Sequence, residues 1–355
     1  MTPDNRNMIV AVILSILIVF GFEFYFAKTR PPAPVPAPAG APAPTAPAPS
    51  VAGTPPAPVA TPGAASVPAP PAATAVASAV PRIRIETPTL KGSLALEGAR
   101  LDDLVFTQFF EKPGRKGAPV PMFLPKGHKS AYYAQFGWVG AEGAAVPTAE
   151  TVWTTNDNRL TPENPVTLSW DNGQGLRFAL QIAVDKDYMF TVTQRVANAR
   201  GRPAALHAYG LIARAGTPAV SDIYILHEGP LGVFDGTLKE MKYDDLKKDG
   251  ASRLKTTGGW VGITDKYWLA ALVPPAKTEV TGRFVHQRLD NAARYQVDYL
   301  APARVVEPGK AEEAGFHLFA GAKRVSLLDG YSEKLGIDRF DLAIDFGWFY
   351  FLTKP

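Results

Sequence analysis

The chain has 355 residues, of which 46% are hydrophobic, with a formal net charge of +4 and no cysteine. The lack of cysteine excludes disulfides, thiolate nucleophiles and cysteine metal sites, and a charge excess this small, spread along the chain, is not the footprint of a nucleic-acid-binding protein. Composition changes sharply from one part of the chain to the next, so each segment has to be interpreted separately.

The first segment, residues 1–30, contains an apolar run at 8–27 in which Glu23 is the only charged residue. A helix of this length crosses a hydrocarbon core about 30 Å thick. A cleaved signal peptide is the alternative, but the run exceeds a usual signal core and no small-residue cleavage site follows it. Basic residues flank it on both sides, so charge leaves the orientation open. The residues predicted to form this transmembrane anchor include Met8, Ile9, Phe20, Phe24 and Tyr25.

Residues 31–81 hold half of the chain's 34 prolines, are otherwise mostly alanine, and carry no charged side chain. Such a segment cannot bury a core, and repeated Ala-Pro favours extended polyproline II geometry. A proline-rich docking peptide is the alternative, although alanine supplies no side chains for specificity. The composition therefore predicts a disordered Pro/Ala-rich linker that acts as a semi-rigid tether.

Residues 82–323 change to short runs of alternating apolar and polar residues separated by Gly, Pro, Asn and Asp. This period of two is typical of strands with one buried face. Two runs, 176–184 and 188–196, are joined by three residues and predict a hairpin. The other predicted strands are 82–86, 166–170, 206–213, 222–226, 267–273, 278–286, 295–300 and 316–320. A large antiparallel two-sheet β-sandwich fits this pattern best, so the fold class is mainly β.

The last segment, 324–355, begins with the period of a short amphipathic helix over 323–336, with Leu328 and Leu335 on one face and Gly336 as a natural stop. Two placements fit this helix, one packed on the sandwich and one on a membrane surface. The aromatic ending resembles a membrane interface and the start of a second transmembrane segment, with burial in a soluble core as the alternative. The predicted interface residues are Asp345, Gly347, Trp348, Tyr350, Phe351 and Pro355.

No motif in the sequence indicates catalysis, a cofactor or a metal. The five histidines are widely spaced, and His227-Glu228 precedes a Gly-Pro turn. The glycine cluster at 258–262 lacks a phosphate-binding Lys-Ser/Thr and predicts a turn or tight packing site with Trp260 buried. The adjacent carboxylates are expected to be solvated in loops: Asp102-Asp103, Asp244-Asp245 and Glu312-Glu313.

Three local features, taken with this order of parts, resemble the YidC family of membrane protein insertases from Gram-negative bacteria. They are Arg6-Asn7 directly before the first apolar run; Gly258, Gly259 and Trp260 followed by 265–274; and the ending, where 321–324 and Leu328 lead to 342–352 and Pro355. The Gly-Gly-Trp match is weak alone, whereas the ending is specific. The resemblance covers most of the chain.

The resemblance implies a bacterial inner-membrane protein with a cytoplasmic N-terminus and residues from about 28 to 326 in the periplasm. It also implies a supersandwich fold like that of galactose mutarotase. This region would be accessory to an insertase, whose activity lies in a membrane core after Pro355. The implied partners are the lipid bilayer, nascent membrane proteins and accessory subunits of the Sec translocon. The alternative is a membrane-tethered carbohydrate-binding or mutarotase-like domain, which needs two histidines and a carboxylate in one cleft.

Overall fold

The computed structural model describes residues 80–140, 144–218, 226–289 and 292–345. The predicted anchor residues, nearly all of the linker, and residues 346–355 lie outside these ranges, so the predictions made for them stay predictions. In the part of the chain that is described, no helix is both long enough and apolar enough to cross a membrane.

The described residues form nineteen strands and two α-helices, followed by a short 3-10 helix, Phe340–Ala343. The strands are β1 (Arg82–Glu86), β2 (Leu90–Ala95), β3 (Arg100–Lys112), β4 (Lys116–Phe123), β5 (Tyr132–Gly140), β6 (Arg159–Leu160), β7 (Val166–Asp171), β8 (Leu176–Val184), β9 (Met189–Asn198), β10 (Ala204–Ala215), β11 (Gly229–Phe234), β12 (Thr237–Glu240), β13 (Ala251–Thr257), β14 (Trp260–Thr264), β15 (Trp268–Val273), β16 (Glu279–Leu289), β17 (Ala292–Leu300), β18 (Arg304–Val306) and β19 (Ala311–Ala322). The helices are α1 (Tyr243–Asp249) and α2 (Val325–Leu335).

These strands form two sheets. Within the described ranges, the larger sheet has eleven strands in the order β13-β16-β17-β10-β5-β3-β2-β1-β6, with β18 on β10 and β4 on β3. The smaller has eight, in the order β12-β11-β14-β15-β19-β9-β8-β7. The strands pair antiparallel apart from the short β1–β6 pair, which is parallel. The predicted mainly β, antiparallel fold is confirmed, with this one parallel addition.

The core lies between the two sheets. Strand β8 alternates as predicted, because every second residue from Leu176 to Val184 is buried. Ring contacts join the sheets: Trp138 of β5 meets Phe178 of β8 at 5.0 Å between ring centroids, and Tyr299 of β17 stacks on Phe316 of β19 at 4.7 Å. Burying each such side chain contributes roughly 1.5–3 kcal/mol to folding, so the sheets hold each other through this shared core.

The predicted hairpin at 176–196 is confirmed as β8 and β9, which pair antiparallel along their length. The Asp185 carboxylate closes its turn by accepting the backbone N–H groups of Asp187 and Met189, at 2.9 and 3.0 Å. The predicted strand at 222–226 falls outside the described residues except for Leu226. Helix α1 has no counterpart in the prediction, because its seven residues are too few to show a helical stripe.

The predicted C-terminal helix is α2, and Gly336 ends it in the left-handed conformation with φ 65°. Leu328 and Tyr331 are buried against the sandwich. The Tyr331 hydroxyl donates to the Asp185 carboxylate at 2.5 Å and accepts the Tyr188 N–H at 3.4 Å. Of the two placements that fitted the sequence, the structure has the one in which the helix packs on the sandwich, at the β8–β9 turn.

We expect Tyr331→Phe to lower the free energy of unfolding by about 2 kcal/mol, because it removes a buried hydrogen bond to a carboxylate while keeping the ring. Urea unfolding followed by tryptophan fluorescence measures this. Tyr267→Phe is the control, because the Tyr267 side chain is 59% exposed and its hydroxyl has no hydrogen bond among the described residues. An equal loss in both variants would contradict the docking role of Tyr331.

Candidate functional site

An apolar groove of about 520 Å³ lies where the described chain ends. It is formed by β3 and β4, by the start of β15, and by the chain from the 3-10 helix to Asp345. Its apolar walls include Phe109, Phe110, Leu231, Trp268, Leu342 and Ile344. Hydrogen bonding within the two sheets fixes the positions of the strands that form these walls, and the C-terminal segment after α2 closes one side of the groove.

Trp268, the first residue of β15, organises the aromatic wall of the groove. It stacks on Phe106 with ring centroids 4.4 Å apart and meets the edge of Phe109 at 5.0 Å. The neighbouring Tyr267 lies 6.1 Å from Trp268 and is 59% exposed at the rim. Offset and edge contacts of this kind stabilise ring clusters beyond their buried area, so the wall is a contiguous aromatic surface.

Charged groups surround this apolar surface. The Lys323 ammonium donates to the Thr264 hydroxyl at 2.9 Å. Burial lowers the pKa of Lys323 below its ordinary value, and the carboxylates of Asp265, Glu228 and Asp345 oppose that shift. The Lys323 ammonium therefore stands near carboxylates that offset its charge. The groove therefore offers apolar contact area inside a polar frame.

The Gly258-Gly259-Trp260 segment contacts the 3-10 helix, whose Leu342 and Ala343 line the groove. Both glycines have positive φ, 76° and 74°, and a Cβ on Gly259 would stand 2.1 Å from the Val233 carbonyl oxygen. Trp260 is 1% exposed and packs edge-on against Phe340 at 5.5 Å. The expected turn with a buried Trp260 is confirmed, and its physical role is to seat the 3-10 helix that borders the groove.

The histidines lie on separate elements: the turn before β5 for His128, β10 for His207, the segment before β11 for His227, β16 for His286 and β19 for His317. One of them, His227, lines the groove, where its Nε2 lies 3.0 Å from the Pro230 carbonyl oxygen. Within the described ranges, no three His, Asp or Glu side chains are close enough to hold a metal ion.

Acid is expected to destabilise the fold through His317. Burial lowers the pKa of His317, so the folded state resists protonation while the unfolded chain takes up a proton near its ordinary pKa of about 6.5. The contribution of neutral His317 to the free energy of unfolding is therefore fully present above the ordinary pKa of histidine. It is lost as the pH falls from that value toward the lower pKa of the folded state. His317→Gln should flatten this dependence in urea unfolding between pH 7.5 and 5.5, while His128→Gln at an exposed site keeps it.

The prediction that adjacent carboxylates lie in solvated loops was wrong for Asp102. It lies on β3 with 2% of its side chain exposed and pairs with Arg82 and Arg100. Two cations from neighbouring positions on the same sheet compensate the burial of one carboxylate. The other pairs are largely solvated, but they lie on regular elements, Asp244-Asp245 in the first turn of α1 and Glu312-Glu313 on β19.

Comparison with known proteins gives the family. Residues 82–355 match the family model of the YidC periplasmic domain. The membrane protein insertase YidC of Methylobacterium nodulans is 45% identical over 285 residues, covering 78% of this chain and 47% of the relative. That of Rickettsia bellii is 40% identical over 277 residues, covering 78% and 50%. The chain spans about half the length of the curated relatives it matches.

Solved structures with a similar fold include a galactose mutarotase-like protein from Lactobacillus casei, with a TM-score of 0.44 and 11% identity over 67% of this chain and 99% of that one. Another is an aldose epimerase homologue from C. elegans, with a TM-score of 0.39 and 10% identity over 68% and 98%. The family resemblance inferred from the Gly-Gly-Trp segment and the aromatic ending is confirmed by the family model and by the relatives. The chain belongs to the YidC periplasmic domain family.

Proposed function

We propose that this chain is the accessory periplasmic and anchor region of a membrane protein insertase, which helps to insert, fold and assemble inner-membrane proteins with or without the Sec translocon. The observation that carries the proposal is the match of residues 82–355 to the periplasmic domain family. Relatives named membrane protein insertases support it, and this chain covers 47% of the first of them. We place the insertion activity itself in the other half of such a protein.

The proposed topology follows the chain. Residues 8–27 cross the bacterial inner membrane outward from a cytoplasmic N-terminus, and residues from about 28 to 326 lie in the periplasm. Fully stretched as polyproline II, the linker at 31–81 would reach on the order of 150 Å, so the sandwich can move along the membrane surface. Asp345 lines the groove, and the interface residues Trp348 and Tyr350 follow it within five positions.

The proposed partners are the lipid bilayer, nascent membrane proteins and accessory subunits of the Sec translocon. Moving a polar tail of a nascent membrane protein through hydrocarbon costs several kcal/mol if its polar groups are unpaired. A water-filled channel in the membrane core of the insertase, separate from the groove of this chain, would lower that cost without covalent chemistry. The sandwich would contribute by position, holding partners near that core. Its docking elements would be an edge strand or α2, which presents its outer face away from the core.

Reconstitution of the 355-residue chain into vesicles free of other insertases tests this proposal. The chain should float with the vesicles, while insertion of a test membrane protein should stay at the level of empty vesicles. The full-length Methylobacterium nodulans relative serves as the positive control for the assay. Insertion by this chain alone would overturn the placement of the activity, and failure to float would overturn the anchor.

A further inference from the structure

We propose that the tip of the β3–β4 hairpin and the exposed rim of the groove together form a contact surface for an anionic phospholipid bilayer. This bilayer-contact surface comprises Lys112, Arg115 and Lys116 at the tip, and Phe109, Phe110, Leu226 and Tyr267 at the groove. The inference rests on the proposed function, because it requires the sandwich to be tethered to a membrane.

The hairpin tip is an exposed cluster of cations. Every residue from 111 to 119 is exposed, and the stretch contains three basic residues against one acid, Glu111. Lys112 and Lys116 are direct cross-strand partners, although like charges in that position destabilise a strand pair. Neither lysine, nor Arg115, forms an ion pair within the described chain. An anionic surface would relieve this repulsion, which gives the tip an electrostatic reason to dock there.

The tip is continuous with aromatic surface. The Arg115 guanidinium lies 5.6 Å from the centre of the Phe110 ring, and Phe109 and Phe110 line the groove. A surface that carries both basic and aromatic side chains suits a bilayer interface, because the rings can enter the headgroup boundary while the charged ends reach headgroup phosphates. Strand β3 therefore carries the aromatic residues Phe109 and Phe110 directly before the basic tip of the hairpin.

The groove rim adds exposed apolar side chains. Leu226 is 38% exposed and Tyr267 is 59% exposed. They are two of the four large hydrophobic side chains that are exposed in the described ranges, and Val152 and Val305 are the others. The Lys266 ammonium lies 5.2 Å from the centre of the Tyr267 ring. A cation therefore lies beside an aromatic ring at the rim of the groove, as Arg115 does beside Phe110 at the hairpin.

This surface stands on the side from which the chain continues toward its predicted membrane interface. Leu342 and Asp345 line the same groove as Phe109, Phe110 and Tyr267. Trp348 follows Asp345 by three residues, a distance of at most about 11 Å along extended chain. A bilayer that takes up Trp348 is therefore within reach of the hairpin and the rim, which favours lipid as the occupant over a free peptide.

The lack of native cysteine allows single labels to test the contact. The full chain carrying Tyr267→Cys with an environment-sensitive fluorophore is placed in phosphatidylcholine vesicles with and without phosphatidylglycerol. With the anionic lipid, the label should shift to the blue and be quenched by brominated acyl chains. A label at Val152→Cys is the matched control, because Val152 is 54% exposed away from the groove, and it should keep the spectrum of a water-exposed label.

Charge removal tests the hairpin directly. Each basic residue near an anionic membrane is expected to change the ratio of docked to undocked protein about fivefold, so K112Q/R115Q/K116Q should lower it about 100-fold at low salt. The variant R202Q/K277Q/K310Q removes the same charge from exposed sites elsewhere and should leave the label at position 267 docked. High salt should mimic the hairpin variant, because it screens surface charge.

Two outcomes would overturn the inference while leaving the anchor intact. In one, the chain floats with the vesicles but the label at 267 stays as exposed to water as that at 152. In the other, the label becomes protected only when an apolar nascent segment is added, which would make a client protein the occupant. A chain that does not float at all would instead refute the proposed function on which the inference rests.

Discussion

Asp102→Asn is expected to lower the free energy of unfolding by about 3–5 kcal/mol, because it leaves the buried Arg100 guanidinium without its anion. The Asp102 side chain is 2% exposed and that of Arg100 is 4% exposed. Asp102 also accepts a hydrogen bond from Arg82, which ties β1 to β3 across β2. The asparagine keeps the shape of the side chain but not its charge, so the change isolates the electrostatic contribution. Urea unfolding measures the loss.

Two further variants show whether the cause is the unpaired cation. The double variant D102L/R100M removes both charges and should recover most of the lost stability, since replacing a buried pair with apolar residues is often close to neutral. Asp171→Asn breaks a pair with Arg177 that has the same charges but is solvated, with Asp171 49% and Arg177 76% exposed, and it should cost far less than Asp102→Asn because water screens exposed ion pairs. Equal losses for Asp102 and Asp171 would contradict the explanation.

Gly259→Ala is expected to cost at least about 3 kcal/mol, near the upper end for single substitutions. The residue has φ 74°, which a side chain rarely adopts, and its Cβ would stand 2.1 Å from the Val233 carbonyl oxygen. Relief of that clash requires β11 and β14 to separate at the pair formed by Val233 and Trp260. Trp260 would then pack less closely against Phe340 of the 3-10 helix, so tryptophan fluorescence should shift to the red as well.

Gly173→Ala is the matched control for this second prediction. Gly173 has φ 68°, close to that of Gly259, but nothing lies within 4 Å of its added Cβ. It should cost about 1–2 kcal/mol from the backbone conformation alone. If the two variants lose the same stability, the close approach of the Val233 carbonyl oxygen is not the reason that position 259 requires glycine.

Strands with one buried face were predicted from their alternation, and the short apolar run of β15, buried at five of its six residues, was predicted as well. Strand β8 alternates between buried and more exposed residues, so its period was visible. Strand β5 was not predicted, because seven consecutive residues, Tyr132 to Trp138, are buried and a strand that is buried on both faces shows no alternation. The irregular pairing of β3 with β4 hides their period in a similar way.

The candidate site was predictable only where a local pattern fixed it. The glycines at 258 and 259 indicate a turn by themselves, and the burial of Trp260 followed from the strand after it. Asp102 could not be assigned from its neighbours, because Arg82 is twenty positions earlier and reaches it only through the pairing of β1, β2 and β3. The groove was equally hidden, since its walls come from β3, β15 and the chain after α2.

The most direct test of the accessory role is a deletion in the full-length Methylobacterium nodulans relative. The segment corresponding to residues 82–320 is removed, and both the insertion of test membrane proteins and the co-purification of Sec translocon accessory subunits are measured. We predict that insertion persists at the level of the intact relative while co-purification is lost. Loss of insertion, with the shortened protein present in the membrane at its normal amount, would contradict the proposal that the activity lies outside this region.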